Sequence, residues 1–249
     1  MAPNSSILKG MNGAAQTFLD LFNKLEKHLN QQLGATEYYG FRRLISRLSK
    51  DNGIIDTYKQ DLIEYSELRN AIVHKSTGEV IAEPHQTTVD QLQKIYDLLT
   101  HPPLVMSIAA SPVYTCETKQ YVSEVVVKMT TQFYAYVPVL HDRRFVGVFS
   151  ENTLAKWLAD LSPTESISLS KVTIGQLQDY YDRPDDKANA YDFVAQETDV
   201  YSIRQKFLSF TSEKKRLGAL FVTANGRREE DIIGIVTAWD LPKIGTLLA

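Results

Sequence analysis

One pattern of residues is written twice in this chain, between residues 115 and 240, and it restricts the fold more than any other feature. Glu117, Thr118 and Tyr121 open the first copy; Glu197, Thr198 and Tyr201 open the second, 80 positions on. Each opening leads into apolar residues at helical spacing: Val122, Val125, Val126 and Met129 in one, Ile203, Phe207 and Leu208 in the other. A short apolar strand follows over residues 135–140 and 217–222. Then come a charged turn and a second strand around a glycine, Gly147 or Gly234. These glycines lie 87 apart, so the second copy is seven residues longer, and the excess is placed in the turn 225–231. A helix–strand–hairpin–strand unit leaves one sheet face and one helical stripe bare. Two tandem copies are therefore expected to pack against each other.

The first hundred residues follow a different period. Met11, Ala14, Phe18, Phe22, Leu25 and Leu29 predict an amphipathic helix over 11–33, with Gly34 as its stop. Phe41, Leu44, Ile45 and Leu48 predict a second over 38–48, with Arg42, Arg43 and Arg47 on its outer side. After the turn signal of Asp51, Asn52 and Gly53, Ile55, Tyr58, Leu62, Tyr65 and Ile72 predict a third helix ending near His74. Thr87 or Thr88 is the candidate cap of a fourth, which contains Val89, Leu92, Ile95, Tyr96 and Leu99 and closes before Pro102. Short connections between four helices predict a bundle. The expected fold class is multidomain, α and α+β: a four-helix bundle followed by two α/β repeats packed as a pair. The expected boundaries are 1–103 for the bundle, 104–160 for the first repeat, 161–171 for a polar, serine-rich linker and 172–249 for the second repeat.

Charge narrows the range of partners. The chain has 27 basic and 30 acidic side chains, a formal net charge of −3. Up to residue 102 there are 11 basic and 12 acidic residues, and beyond it 16 and 18, so neither part is a cationic platform for duplex nucleic acid. A small local RNA site is compatible with that balance. The one cysteine, Cys116, rules out an internal disulfide and fits a reducing compartment. No apolar run reaches membrane-spanning length, and the first residues lack the basic-then-apolar pattern of a secretory signal. The expectation is a soluble, cytoplasmic protein without a membrane partner.

Two stretches carry chemistry. In the first, Glu67 to His74, Arg69 is followed by Asn70, and four residues separate Arg69 from His74. This resembles the motif of the HEPN family of small helical bundles, over roughly residues 10 to 100. Many members are metal-independent endoribonucleases in which two subunits complete one site. The resemblance implies catalytic roles for Arg69, Asn70 and His74 and a homodimer acting on RNA. An imidazole near its solution pKa exchanges protons at neutral pH, a guanidinium can hold a phosphate bidentately, and Asn70 can orient either. The structural alternative is that Arg69 pairs with Glu64, Glu67 or an acidic residue elsewhere and His74 caps the helix C-terminus. Tyr65, Tyr38 and Tyr39 can stack on bases, although their helical spacing points to core or interface.

The second stretch closes each repeat. The run from Gly234 to Leu241 resembles the closing motif of cystathionine-β-synthase-type (CBS) domains, and the run from Gly147 to Leu154 shows the same shape; the resemblance spans about 106–247. In that family the hydroxyl residue at the strand end and the Asp three positions later contact the phosphates and ribose of an adenosine nucleotide. The resemblance thus implies nucleotide-binding roles for Thr237 and Asp240, and in part for Ser150 and Thr153. A hydroxyl beside free helix-start amides favours phosphate, and an Asp there accepts from amides or from a ribose diol. Thr153 stands where the first copy lacks a carboxylate, so at most one good site per chain is expected, nearer the second copy. The alternative is that Thr237 and Asp240 merely cap the terminal helix.

Together the resemblances imply an endoribonuclease regulated by AMP, ADP, ATP or a related adenosine ligand. The other reading is a non-catalytic, adenine-nucleotide-sensing regulatory or dimerisation protein. The charged run 182–187 is expected as a solvated turn, and its carboxylates lack further ligands, so no metal is expected. Trp157 is expected in a core, and Trp239 either packed or at the cleft. Arg227 and Arg228 are expected in an exposed turn.

Overall fold

The computed structural model describes residues 13–33, 40–73, 82–161, 167–187, 189–212 and 215–248. They divide into two compact units between Pro103 and Leu104.

In the first unit the helices are α1 (Ala14–Leu33), α2 (Phe41–Leu48), α3 (Gly53–Thr57), α4 (Lys59–Ile72) and α5 (Gln86–Thr100). The apolar positions that predict them are the ones buried: Phe18, Leu25 and Leu29 of α1, Leu44 and Ile45 of α2, Leu62 and Ile72 of α4, and Leu92 of α5. Helix α1 packs on α2, α4 and α5, and α2 packs on α4. The single helix expected from Ile55 to near His74 is two helices, so the described residues contain five rather than four. Asn52 opens α3 by accepting from the amides of Ile54 at 3.0 Å and Ile55 at 3.1 Å. Tyr58, at φ −102° and ψ 19°, leaves helical geometry before α4 begins. Neither Thr87 nor Thr88 caps α5: both lie inside it, and His85 occupies the cap position without a side-chain bond.

The second unit contains the repeat. Copy one is β1 (Cys116–Glu117), α6 (Val122–Gln132), β2 (Tyr136–His141), β3 (Arg144–Ser150) and α7 (Glu151–Ala159). Copy two is β4 (Ala190–Ala195), α8 (Val200–Ser212), β5 (Leu217–Thr223), β6 (Gly234–Thr237) and α9 (Leu241–Leu248). Each copy forms a three-stranded sheet in which the first strand runs parallel to the second and the second antiparallel to the third. The β2–β3 hairpin turns on Asp142 and Arg143, both at positive φ (49° and 65°). Such a two-residue turn matches the twist of its strands even without glycine. The longer turn of copy two is organised by Glu230, whose carboxylate accepts from the amide of Asn225 at 2.6 Å and its side chain at 2.8 Å. These bonds hold Glu230 down to about 2.

The lead-in segments cross between the copies. Residues before β1 bridge to β6, with Ala110 paired to Ile235, and residues before β4 bridge to β3, with Asp182 paired to Val148. The 3-10 helix Ile174–Tyr180, expected to open the second repeat, buries Ile174 and Leu177 in the core of copy one beside Val125, Phe149 and Trp157. Between the sheets lies an aromatic cluster of Phe145, Tyr191, Phe193 and Phe221, with ring centroids 5.2–6.1 Å apart. Arg228, expected in solvent, reaches back over the Phe145 ring at 5.2 Å. Cys116 is 1% exposed and burial pushes its thiol up to about 12, which keeps it protonated and inert. No helix among the described residues is long and apolar enough to cross a membrane.

Candidate functional site

The strand-end residues of the two copies adopt related geometry. In copy two, Thr237 ends β6 at φ −119° and ψ 172°, and the 3-10 turn Ala238–Asp240 leads into α9. Its amide donates to Asp240 Oδ2 at 2.8 Å and its hydroxyl to the same oxygen at 3.0 Å. Lys243 Nζ donates to Asp240 Oδ1 at 2.7 Å and to the Ile108 carbonyl of the crossing lead-in at 3.0 Å. A hydroxyl, a carboxylate and an ammonium are thus gathered at one helix start. The Asp240 side chain keeps 15% of its surface open and that of Lys243 53%. Trp239, between the two motif residues, is 88% exposed rather than packed.

In copy one, Ser150 ends β3 and caps α7, accepting from the amides of Asn152 at 3.1 Å and Thr153 at 3.3 Å. Thr153 Oγ1 accepts from the Ser150 amide at 3.1 Å, the bond that Asp240 makes in copy two. Both residues are buried, and a further layer covers them. Asn189 Nδ2 donates to Ser150 Oγ at 3.3 Å and to Asp182 Oδ2 at 3.4 Å. Asn152 Nδ2 donates to Asp182 Oδ1 at 2.9 Å, and Lys156 Nζ lies 3.6 Å from the same oxygen. Asp182 is therefore not part of a solvated turn, as its charged neighbours predict; it is 1% exposed. Burial raises its pKa against the opposing pull of Ser150, Asn152 and Lys156.

The HEPN-like stretch is placed only in part. Arg69 and Asn70 stand in the last turn of α4, with Arg69 Nη1 donating to Asn70 Oδ1 at 3.4 Å. His74 lies outside the described residues, as do Tyr38 and Tyr39. Neither expected ion pair of Arg69 forms among the described residues. Arg42 bonds Glu67, and Glu64 accepts from Gln60 at 3.0 Å. Tyr65 is core, packed edge-on to Phe18 at 6.1 Å.

A cavity of about 640 Å³ opens at the hairpin end of copy one, between His141, Gln178 and Tyr181, and none of the expected site residues lines it. No group of three or more His, Cys, Asp and Glu among the described residues could hold a metal ion.

Residues 105–160 match the CBS domain family model. The CBS match thus covers copy one together with its lead-in, and copy two repeats the same order of elements. No curated protein matches the chain. Solved structures similar to it include the CBS domain pair of protein MJ0100 with 5′-methylthioadenosine and S-adenosyl-L-methionine, 19% identical over 57% of this chain and 98% of that one, with a TM-score of 0.40. Another is the CBS domain of the bacterial CNNM/CorC family Mg2+ transporter in complex with ATP, at 18% over 64% and 96%, with a TM-score of 0.39. A third is protein MJ1225 from Methanocaldococcus jannaschii, at 17% over 68% and 56%, with a TM-score of 0.42.

Sequence reasoning left out Lys156, Lys243, Asn152 and Asn189. The two lysines had a signal, since they recur at the 87-residue offset of the repeat glycines. The two asparagines had none.

Proposed function

We propose that this chain is a regulatory protein whose CBS-type pair binds an adenine nucleotide at copy two. The observation that carries the reading is the cluster of Thr237, Asp240 and Lys243 at the end of β6, in a tandem repeat whose first copy matches the CBS domain model. Lys243 and the helix-start amides suit phosphate oxygens, and Asp240, partly open, suits a ribose diol. The reading extends to a homodimer. A ligand that prefers one arrangement of the paired repeats would shift how the chains face each other.

The test is calorimetric titration of the full chain with AMP, ADP, ATP and adenosine, with Trp239 emission as a second readout beside the site. Asp240→Ala is expected to weaken the best ligand at least tenfold, about 1.4 kcal/mol. Affinity unchanged in Asp240→Ala, or absence of binding by the wild type, would reject the reading.

A second reading, a metal-independent endoribonuclease of the HEPN type, is favoured by one observation: Arg69 bonds Asn70 and is not neutralised by Glu64 or Glu67. It assigns Arg69, Asn70 and His74 to phosphate binding, orientation and proton transfer. Its test is cleavage of structured RNA in EDTA. Activity that both Arg69→Ala and His74→Ala abolish supports it, and RNA left intact by the wild type, with or without nucleotide, rejects it.

A further inference from the structure

The two strand ends correspond position by position at the 87-residue offset: Ser150 with Thr237, Thr153 with Asp240, Lys156 with Lys243, and Val148 with Ile235. Val148 and Ile235 are also where the lead-ins bridge, so Asp182 and Ala110 occupy equivalent places. At each strand end one lysine meets a carboxylate beside the capping turn, but different segments supply that carboxylate. In copy two it comes from the motif, Asp240, and the lead-in offers only Ala110. In copy one the motif offers only Thr153, and the lead-in delivers Asp182.

This exchange changes what each cleft can accept. Asp240 bonds within its own turn and stays partly open. Asp182 is closed over: Asn152, Asn189 and Lys156 converge on its two oxygens, and Asp186 takes Lys156 from its other side at 2.5 Å. The Ser150 hydroxyl, counterpart of Thr237, is 1% exposed beneath Asn189. A phosphate entering copy one would meet a buried negative charge. It would also have to strip Lys156 and Asn189 from a buried carboxylate and leave it short of donors, which is a strongly unfavourable exchange.

We propose that Asp182 is a built-in anion that closes the copy-one cleft to phosphorylated ligands and confines nucleotide binding to copy two. The proposal rests on the nucleotide reading for its probe, ATP, but is tested separately from it. The full chain is titrated with ATP as wild type, as Thr153→Asp with Asp182→Ala, which places the carboxylate of copy one where copy two has it, and as the same pair with Asp240→Ala. Asp182→Asn with Asp240→Ala keeps the shape, removes the charge, and serves if the alanine variant does not fold; the denaturant dependence of tryptophan emission reports folding.

One ATP per wild-type chain and two per doubly substituted chain are expected, with one retained when Asp240→Ala is added. Asp182→Asn with Asp240→Ala is expected to bind at least tenfold tighter than Asp240→Ala alone. Two ATP per wild-type chain, or no gain in any folded Asp182 variant, would overturn the proposal. A wild type that binds no ATP, with a site gained in the Asp182 variants, would instead reject the copy-two reading and leave the closure of copy one by Asp182 standing.

Discussion

Replacing Phe221 by alanine is expected to cost about 3–5 kcal/mol of the stability of the repeat unit. Phe221 lies at the centre of β5, fully buried, with its ring 5.8 Å from Tyr191, 5.7 Å from Phe193 and 6.0 Å from Phe145. Those partners come from both sheets, so the ring is part of the cluster through which the two sheets pack on each other. A void there cannot be refilled by one sheet without losing contact with the other. Aromatic pairs also add about 0.5–1.5 kcal/mol beyond area burial. Both tryptophans of the chain, Trp157 and Trp239, belong to residues 104–249, so the denaturant dependence of tryptophan emission reports this unit specifically. Phe221→Leu, which keeps most of the volume, is expected to lose about 1.5 kcal/mol or less. A loss below about 1 kcal/mol in Phe221→Ala would mean that the aromatic cluster does not hold the sheets together.

Gly147→Ala is the second large effect, and it acts by overpacking. A Cβ at this position would stand 2.5 Å from Tyr181 Cδ2, 3.1 Å from Cγ and 3.2 Å from Cβ. The contacts lie at the root of the tyrosine rather than at its tip, so rotation of the ring cannot relieve the clash. Tyr181 is 6% exposed and its hydroxyl donates to the Ile174 carbonyl at 2.8 Å, which fixes the ring at both ends. The expected loss is toward the upper end of about 1–3 kcal/mol. Gly40→Ala is the control: nothing lies within 4 Å of its Cβ position, and at the cap position of α2 the expected loss is below about 1 kcal/mol. Equal effects of the two substitutions would rule out the Tyr181 contact as the cause.

Gly147 and its counterpart Gly234 mark the repeat in the sequence, but their neighbours are not legible there. Gly147 makes room for Tyr181, 34 positions away, whereas Gly234 faces Met106 and Ala109 of the opposite lead-in. The glycine is visible locally, and the ring it accommodates arrives through chain crossing.

What the sequence determined by itself is the local layer: the repeated helix–strand–hairpin–strand units, the buried faces of the helices, and the strand-end hydroxyls at Ser150 and Thr237. Helix and strand periods depend on residues two to four positions apart, so these elements are written where they form. Where the local signal was mixed, the reading missed. Tyr58 has the apolar spacing of a continuous helix but not its dihedrals. Strand β4 sets Asp192 between Tyr191 and Phe193, behind a charged run, and that Asp is satisfied by Lys206 of α8 at 2.7 Å.

Only the tertiary structure decided which lead-in serves which copy, and hence the nature of the two strand ends. Asp182 reads as solvent-facing among Arg183, Asp185 and Asp186. It is buried because its bridge to Val148 carries it to Asn152 and Lys156. A buried carboxylate needs donors on its oxygens, and of Asn152, Lys156 and Asn189 only Asn189 lies nearby in the chain, seven positions on. The sequence around Asp182 contains none of the donors from α7, so its burial followed from the crossing and not from the local pattern.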